Sequence, residues 1–305
     1  MEIKNRVQAK QIGVFTAHTG NLYALAVNEN EQTVYTSGTD GLVMEWDIRE
    51  IGKGKIIARI PEAVHCLYID VVQNYLWIGT SKGNVHVLDL VKKKELKLFA
   101  SHTQALFDIK RLGEYIYSAG GDGCLVQYDL QSLTIQKLVK LSEKSLRCIA
   151  VSEELACLAV GASDSNIYFL GKNLEVYDEI TAAHSLSVFS LAYVSQSKYL
   201  LSGGRDAMMH VWELKNEVKL AHKIPAHNLH VHGLSVQAAG NYILSASMDK
   251  TIKIWDAQTF QLLRVMDKER HQAHVNSINN IAWIGNQKFV SISDDKSVML
   301  WELIE

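Results

Sequence analysis

The chain has 305 residues, 48% of them hydrophobic, enough to bury a sizeable core in one large domain or two smaller ones. Lys+Arg 31 against Asp+Glu 33 leave a net charge of -2, so no excess of positive charge exists to neutralise a phosphate backbone and sequence-independent nucleic-acid binding is not expected. No run of about 18 apolar residues occurs, which argues against a membrane-spanning helix.

In chain order, the opening "MEIKNRVQAK" mixes charges without an apolar stretch and does not read as a signal peptide. A short dodecamer pattern then begins and returns. It is "TSGTDGLVMEWD" at 36-47, a weaker "IGTSKGNVHVLD" at 78-89, and "SAGGDGCLVQYD" at 118-129. It continues as a weaker "VGASDSNIYFLG" at 160-171, then "SGGRDAMMHVWE" at 202-213, "SASMDKTIKIWD" at 245-256 and "SISDDKSVMLWE" at 291-302. The strong copies have Ser or Thr, Asp four residues on, and Trp or Tyr six after that. In the second copy Lys82 and Leu88 stand where Asp and the aromatic belong. In the fourth, Phe169 is placed at the aromatic position and Asp164 reads as displaced by one.

The repeating position falls at 46, 88, 128, 169, 212, 255 and 301, seven units of roughly 40 residues. Within each, alternating runs such as "YILSAS" and "TIKIW" are bounded by Gly, Asn and Asp, the pattern of strands and turns. Four strands per unit is the period of a propeller blade. "GKGK" at 52-55 reads as a loop between strands of adjoining blades, and Lys92-Lys93-Lys94 as a solvated turn. Gly203 and Gly204 read as turn residues that supply unusual backbone angles. The four cysteines form no C-x-x-C pair and each lies in a predicted strand, which fits free thiols in a reducing, cytoplasmic setting.

Upstream of five of these patterns stands a small residue followed by His: Ala17-His18, Ser101-His102, Ala183-His184, Ala226-His227 and Ala273-His274. With them in register, the sequence resembles the WD40-repeat family of seven-bladed β-propellers over all seven units. The family's Gly-His is met here mostly as Ala-His, while its Trp-Asp ending stands at Trp46-Asp47 and Trp255-Asp256. The resemblance implies an all-β propeller of four-stranded antiparallel blades. "VQAKQIGVFTAH", before the first unit, would supply the outer strand that the last unit lacks, making one domain of residues 1-305.

The residue types explain themselves without the family. A buried imidazole, hydroxyl and carboxylate must satisfy one another or cost several kcal/mol, on the order of 2–7 per unpaired group. This decides the cluster "AHNLHVHG" at 226-233, whose three histidines invite a metal reading. His227 belongs with Ser245, Asp249 and Trp255, and His230 and His232 alone fall short of the three or four ligands zinc takes, although spacing leaves His222 in the preceding strand open as a further ligand. No metal and no cofactor are expected.

Enzyme signatures are missing: there is no P-loop and no G-x-S-x-G elbow. Ser, His and Asp recur together five times, which marks architecture rather than a triad. The paired arginines with which the autophagy-related WD-repeat group holds phosphoinositides do not occur. The rival reading, a hydrolase or lyase at the channel mouth, would need convergent acids, and the first strands offer little besides Asp108.

The resemblance implies instead an upper face that holds peptides or partner domains, read five residues after each repeat His. That gives Tyr23, His65, Phe107, Arg147, Phe189, His232 and Asn279. His65 and Arg147, in units without the His, are placed by aligning "HCLYI" and "RCIAV" with "FSLAY". The residue before each turn Asp adds Thr39, Gly121, Arg205, Met248 and Asp294. Two positions before the ring residue come Asn21, Ala105, Ser187, His230 and Ser277. The expected partner-binding set is therefore Tyr23, His65, Phe107, Arg147, Phe189, Arg205, His230, His232, Met248 and Asn279, rich in the aromatic, His and Arg side chains of interfaces. The competing role for Phe107 and Phe189 is to plug the channel or pack between blades. The function expected is a non-catalytic protein–protein interaction scaffold, a monomer or a subunit of a larger complex, whose partner offers an acidic side chain or a carboxylate.

Overall fold

The computed structural model describes residues 7–30, 32–194, 196–215 and 217–304. Period-two alternation cut by short turns yields seven four-stranded antiparallel sheets, each strand paired with its chain neighbour. The innermost strands are Leu22–Asn28, Val64–Asp70, Leu106–Leu112, Leu146–Ser152, Val188–Val194, Val231–Val236 and Ile278–Ile284. Each touches the next, and the last touches the first, so the seven blades close into a ring. The one crossover is in the seventh blade, whose outer strand is Gln8–Thr16. It pairs with Ser297–Ile304 from Gln8↔Ile304 to Thr16↔Ser297, joining distant parts of the chain in one sheet.

The core lies between the blades, as seven apolar clusters that each join two neighbours. The repeat aromatic is the centre of most: Trp46 packs on Phe15 of the closing strand, with ring centroids 5.3 Å apart, and Tyr128 packs on Phe99 at 4.9 Å. Each aromatic thus lies against the outer strand of the preceding blade. A fully buried side chain of this size contributes roughly 1.5–3 kcal/mol of hydrophobic stabilisation.

Above each aromatic the polar set is satisfied as its chemistry requires. His227 Nδ1 lies 3.0 Å from Asp249, its Nε2 lies 2.7 Å from Ser245 Oγ, and Trp255 Nε1 donates to the same Oγ at 2.9 Å. A carboxylate only accepts, so Nδ1 carries the proton, Nε2 accepts from the hydroxyl, and the hydroxyl accepts from the indole. The same relay runs through His18, Asp40, Thr36 and Trp46, through His184, Asp206, Ser202 and Trp212, and through His274, Asp295, Ser291 and Trp301. In the third blade Tyr128 takes the indole's place, its hydroxyl 2.9 Å from Ser118 Oγ.

The fourth blade corrects the sequence reading. Leu158 pairs with Leu170, at the register where Leu200 pairs with Trp212 in the fifth blade. Asp164 is therefore in register, not displaced, and Leu170 holds the aromatic position. Phe169, one residue earlier, points to the other side and packs with Trp212. Asp164 accepts from the Ser142 hydroxyl, which replaces the imidazole, and from Tyr168 OH at 2.6 Å.

Two smaller corrections concern glycine. "GKGK" is the hairpin within the first blade, and Gly54 opens its outer strand (Gly54–Arg59) because a Cβ there would stand 2.2 Å from the Trp46 ring. Gly203 and Gly204 have ordinary φ values and end a strand. They are small for packing reasons: a Cβ on Gly204 would lie 2.3 Å from His184 Nδ1.

Candidate functional site

At the start of every innermost strand the ladder slips by one residue, and the residue left over is in each case the one five past the repeat His position. The slips fall between Leu22/Ala24, Val64/Cys66, Leu106/Asp108, Leu146/Cys148, Val188/Ser190, Val231/Gly233 and Ile278/Asn280. A bulge turns its extra side chain out of the pleat. Tyr23, His65, Phe107, Arg147, Phe189, His232 and Asn279 are thus seven equivalent, half-buried positions around one opening. Together they line a cavity of about 500 Å³ at the axis.

Their side chains follow one another around the rim. Tyr23 meets His65 edge-on at 5.6 Å, and His65 stacks on Phe107 at 5.7 Å. The Arg147 guanidinium carbon lies 3.9 Å from the Phe107 centroid and 4.9 Å from that of Phe189. Phe189 lies 5.6 Å from both His230 and His232. Asn279 donates to Asp294 at 2.7 Å and to the Leu22 carbonyl at 2.8 Å, which brings the circuit back beside Tyr23.

Arg147 is the electrostatic feature of this ring. It has no ion pair and no hydrogen bond among the described residues. Burial lowers its affinity for the proton, and Arg205 adds repulsion, so the guanidinium sits below its ordinary pKa. Burial and then Arg147 likewise pull His65 down, and its Nδ1 is buried with no partner. His230 is lowered by burial and by Arg205, and His232 by burial and by His230. Cations and neutral imidazoles with free hydrogen-bonding capacity therefore share one aromatic mouth.

Arg205, His230 and Met248 do not line the cavity. Arg205 and Met248 are exposed turn residues, and His230 reaches the ring through Phe189. The backbone explains their placement. Arg205 N–H donates to the Ser187 carbonyl at 2.8 Å and Met248 N–H to His230 at 3.1 Å; the same bond ties Thr39 to Asn21, Gly121 to Ala105 and Asp294 to Ser277. These pairs form an outer rim around the seven bulged residues.

Deeper in the channel, Asp108 and Lys110 form an ion pair of 3.1 Å, set on one face by their spacing of two. Asp108 also accepts from the Ile109 and Ile149 N–H groups at 2.9 and 2.8 Å. It is the one acid lining the cavity among the described residues, and its oxygens are engaged. The Lys110 partner and the neighbouring Cys66 and Cys148 were not singled out in the sequence, although alternation from Asp108 points to Lys110. Burial pushes both thiols upward, away from thiolate chemistry.

His227 has both ring nitrogens committed to the relay, and His230 and His232 stand 5.8 Å apart by their centroids. Among the described residues no group of three or more His, Cys, Asp or Glu is arranged to hold a metal ion. No helix among them is long and apolar enough to cross a membrane.

The geometry agrees with comparison to known proteins. The profile of the WD domain, G-beta repeat matches residues 9–47, 176–213, 218–256 and 266–302. The chain is 26% identical over 144 residues to WD repeat-containing protein 90 of Xenopus tropicalis, covering 44% of this chain and 8% of that protein. It is 25% identical over 157 residues to transducin beta-like protein 3 of Rattus norvegicus, covering 50% of this chain and 20% of that protein. Striatin-3 of Bos taurus is 23% identical over 239 residues, 69% of this chain and 30% of that protein. The matched regions are thus under a third of each relative's length. Seven four-stranded blades, closure by a preceding strand, the His–Ser–Asp–Trp relay and these repeat matches lead to one assignment: the chain belongs to the WD40-repeat family.

Proposed function

We propose that the protein is a non-catalytic interaction scaffold whose upper face holds a segment of another protein that presents a carboxylate beside an apolar side chain. The observation that carries this reading is Arg147, held between two phenylalanine rings with no anion beside it among the described residues. A guanidinium offers a carboxylate two parallel, directional hydrogen bonds, and stacking on the flanking rings keeps its plane fixed. Phe107 and Phe189 supply apolar contact, and Arg205 brings a second cation to the edge. His230, His232 and Met248 widen the surface on that side, with Tyr23 and His65 on the other. The commitment of Asp108 to Lys110 supports binding over hydrolysis, since paired-carboxylate chemistry needs a second, free acid at the same mouth.

The test begins with affinity purification from the native cell and identification of the partner. Calorimetric titration of that partner should then show Arg147→Ala and Phe189→Ala each weakening binding by about 1–3 kcal/mol, as for anchors at an interface centre. Thermal stability should be unchanged. A partner whose affinity is indifferent to Phe107, Arg147 and Phe189 alike would move the site to another face.

A further inference from the structure

The repeat aromatic does not act alone in filling the space between blades. In the sixth blade Trp255 is joined by Phe260, a buried hairpin residue with φ 57° that packs against His222 of the preceding outer strand at 5.4 Å. In the third blade the pair is Tyr128 and Leu133, and in the fourth Leu170 and Leu174, the latter two buried. In the second blade both members are changed. Leu88 holds the aromatic position and is only half-buried, and Lys93, at the left-handed hairpin position with φ 53°, is exposed. The result is a cleft of about 510 Å³ between the outer strand of the first blade and the second blade.

Its walls are apolar, from Ile56, Ile57 and Ala58 on one side to Leu88 and Leu90 on the other. Its rim is basic. Three acids line it, and each is paired: Glu45 with Lys55 at 3.4 Å, Asp89 with Lys92 at 3.3 Å, Glu95 with His86 at 2.7 Å. Arg59, Lys93 and Lys94 are exposed and have no ion-pair partner among the described residues. His86 lines the cleft with its Nε2 buried and unpartnered. Its Nδ1 lies 2.7 Å from Glu95.

We propose that this cleft is a second docking site, separate from the upper face, for an acidic segment of a partner protein that inserts one bulky apolar side chain between the first two blades. Arg59, Lys93 and Lys94 select the acidic flanks, and between the apolar walls the inserted side chain takes the space that a Trp and its hairpin partner fill elsewhere in the ring.

The test uses a fluorescein-labelled decapeptide with one central Trp among glutamates, and its counterpart with lysines. Both are titrated by fluorescence anisotropy into the full chain carrying Arg147→Ala, which disables the upper-face site. The glutamate peptide should saturate, weaken steeply with salt, and bind at least tenfold more tightly than the lysine peptide. Leu88→Trp with Lys93→Phe, which copies Trp255 and Phe260, should fill the cleft and cost the peptide at least tenfold in affinity. Lys93→Glu with Lys94→Glu, a change of exposed residues only, should cost at least tenfold by charge alone. Absence of saturation at millimolar peptide, equal binding of the two peptides, or affinity that neither double variant changes would overturn the proposal. If the glutamate peptide binds only when Arg147 is present, its site is the upper face and the cleft proposal fails.

Discussion

Replacing Asp249 by Ala removes the hub of the sixth-blade relay. Its carboxylate accepts from His227 at 3.0 Å, from the backbone N–H groups of Asn228 and Thr251 at 2.9 and 3.0 Å, and from the Thr251 hydroxyl at 2.6 Å. The imidazole side chain of His227 is fully buried, so its Nδ1 proton loses its carboxylate partner and keeps only the 3.1 Å contact to the Thr251 hydroxyl. A poorly satisfied buried donor costs about 1–3 kcal/mol. The Asn228 and Thr251 groups are closer to solvent and can rehydrate, adding about 1 kcal/mol between them, for a total of about 2–4 kcal/mol. Lys82 holds the corresponding position in the second blade, where Ile60 replaces the His. It is 73% exposed and merely faces Glu62 at 3.5 Å. Lys82→Ala should therefore change stability by no more than about 0.5 kcal/mol. Urea unfolding followed by tryptophan fluorescence, with slopes compared to check that the transition is shared, measures both. Coincident midpoints for Asp249→Ala, Lys82→Ala and the parent would refute the assignment of a buried relay to one blade and its absence from the other.

Deleting residues 1–16 should expose the edge of Ser297–Ile304 along its whole length and cause aggregation or loss of folding; a monomeric product of unchanged melting temperature by size exclusion and calorimetry would contradict closure. Acid should unfold the protein in two stages. Burial holds His18, His102, His184 and His227 below their ordinary 6.5, so the unfolded chain binds more protons and stability starts to fall as pH drops below about 6.5. Burial alone would raise the relay carboxyls, but bonds from imidazole and backbone N–H outweigh it and hold Asp40, Asp122, Asp206, Asp249 and Asp295 below 3.8, so a steeper loss follows near and below pH 4. Urea midpoints that stay level from pH 7 to about 4 would show that the four imidazoles keep their ordinary proton affinities, and level midpoints from there to about pH 2 would show the same of the carboxyls.

Most of the ring was legible in the sequence because its spacing is rigid. Asp and the aromatic are locked six residues apart by a tight turn and one strand, and the bulged residue is locked five after the His. In the blades without the His, alignment of "HCLYI" and "RCIAV" with "FSLAY" reaches His65 and Arg147, and the ladder slips at both. The fourth blade shows the opposite case: choosing Phe169 for its ring chemistry overrode the spacing, which Leu170 satisfies. The cleft beside Leu88 was illegible for another reason. Its openness depends on Lys93, five residues on, which reads as a solvated turn and is one, yet in other blades the same hairpin position carries the side chain that closes the gap. The Asp108–Lys110 pair was half visible, since alternation aligns the two but only the closed channel makes them neighbours.

The pairing of Gln8–Thr16 with Ser297–Ile304 also sets a timetable. Gln8–Thr16 leaves the ribosome long before Ser297–Ile304 is made, and at about 5–20 residues per second the interval is roughly 15–60 s. Six blades are complete within themselves and can form hairpin by hairpin during that time, whereas the seventh is assembled from both ends of the stretch. Until Ser297–Ile304 is made, an alternating, partly apolar strand stays tethered to the first blade with its hydrogen-bonding edges open. A circular permutant opened between two blades would carry the same contacts without the wait.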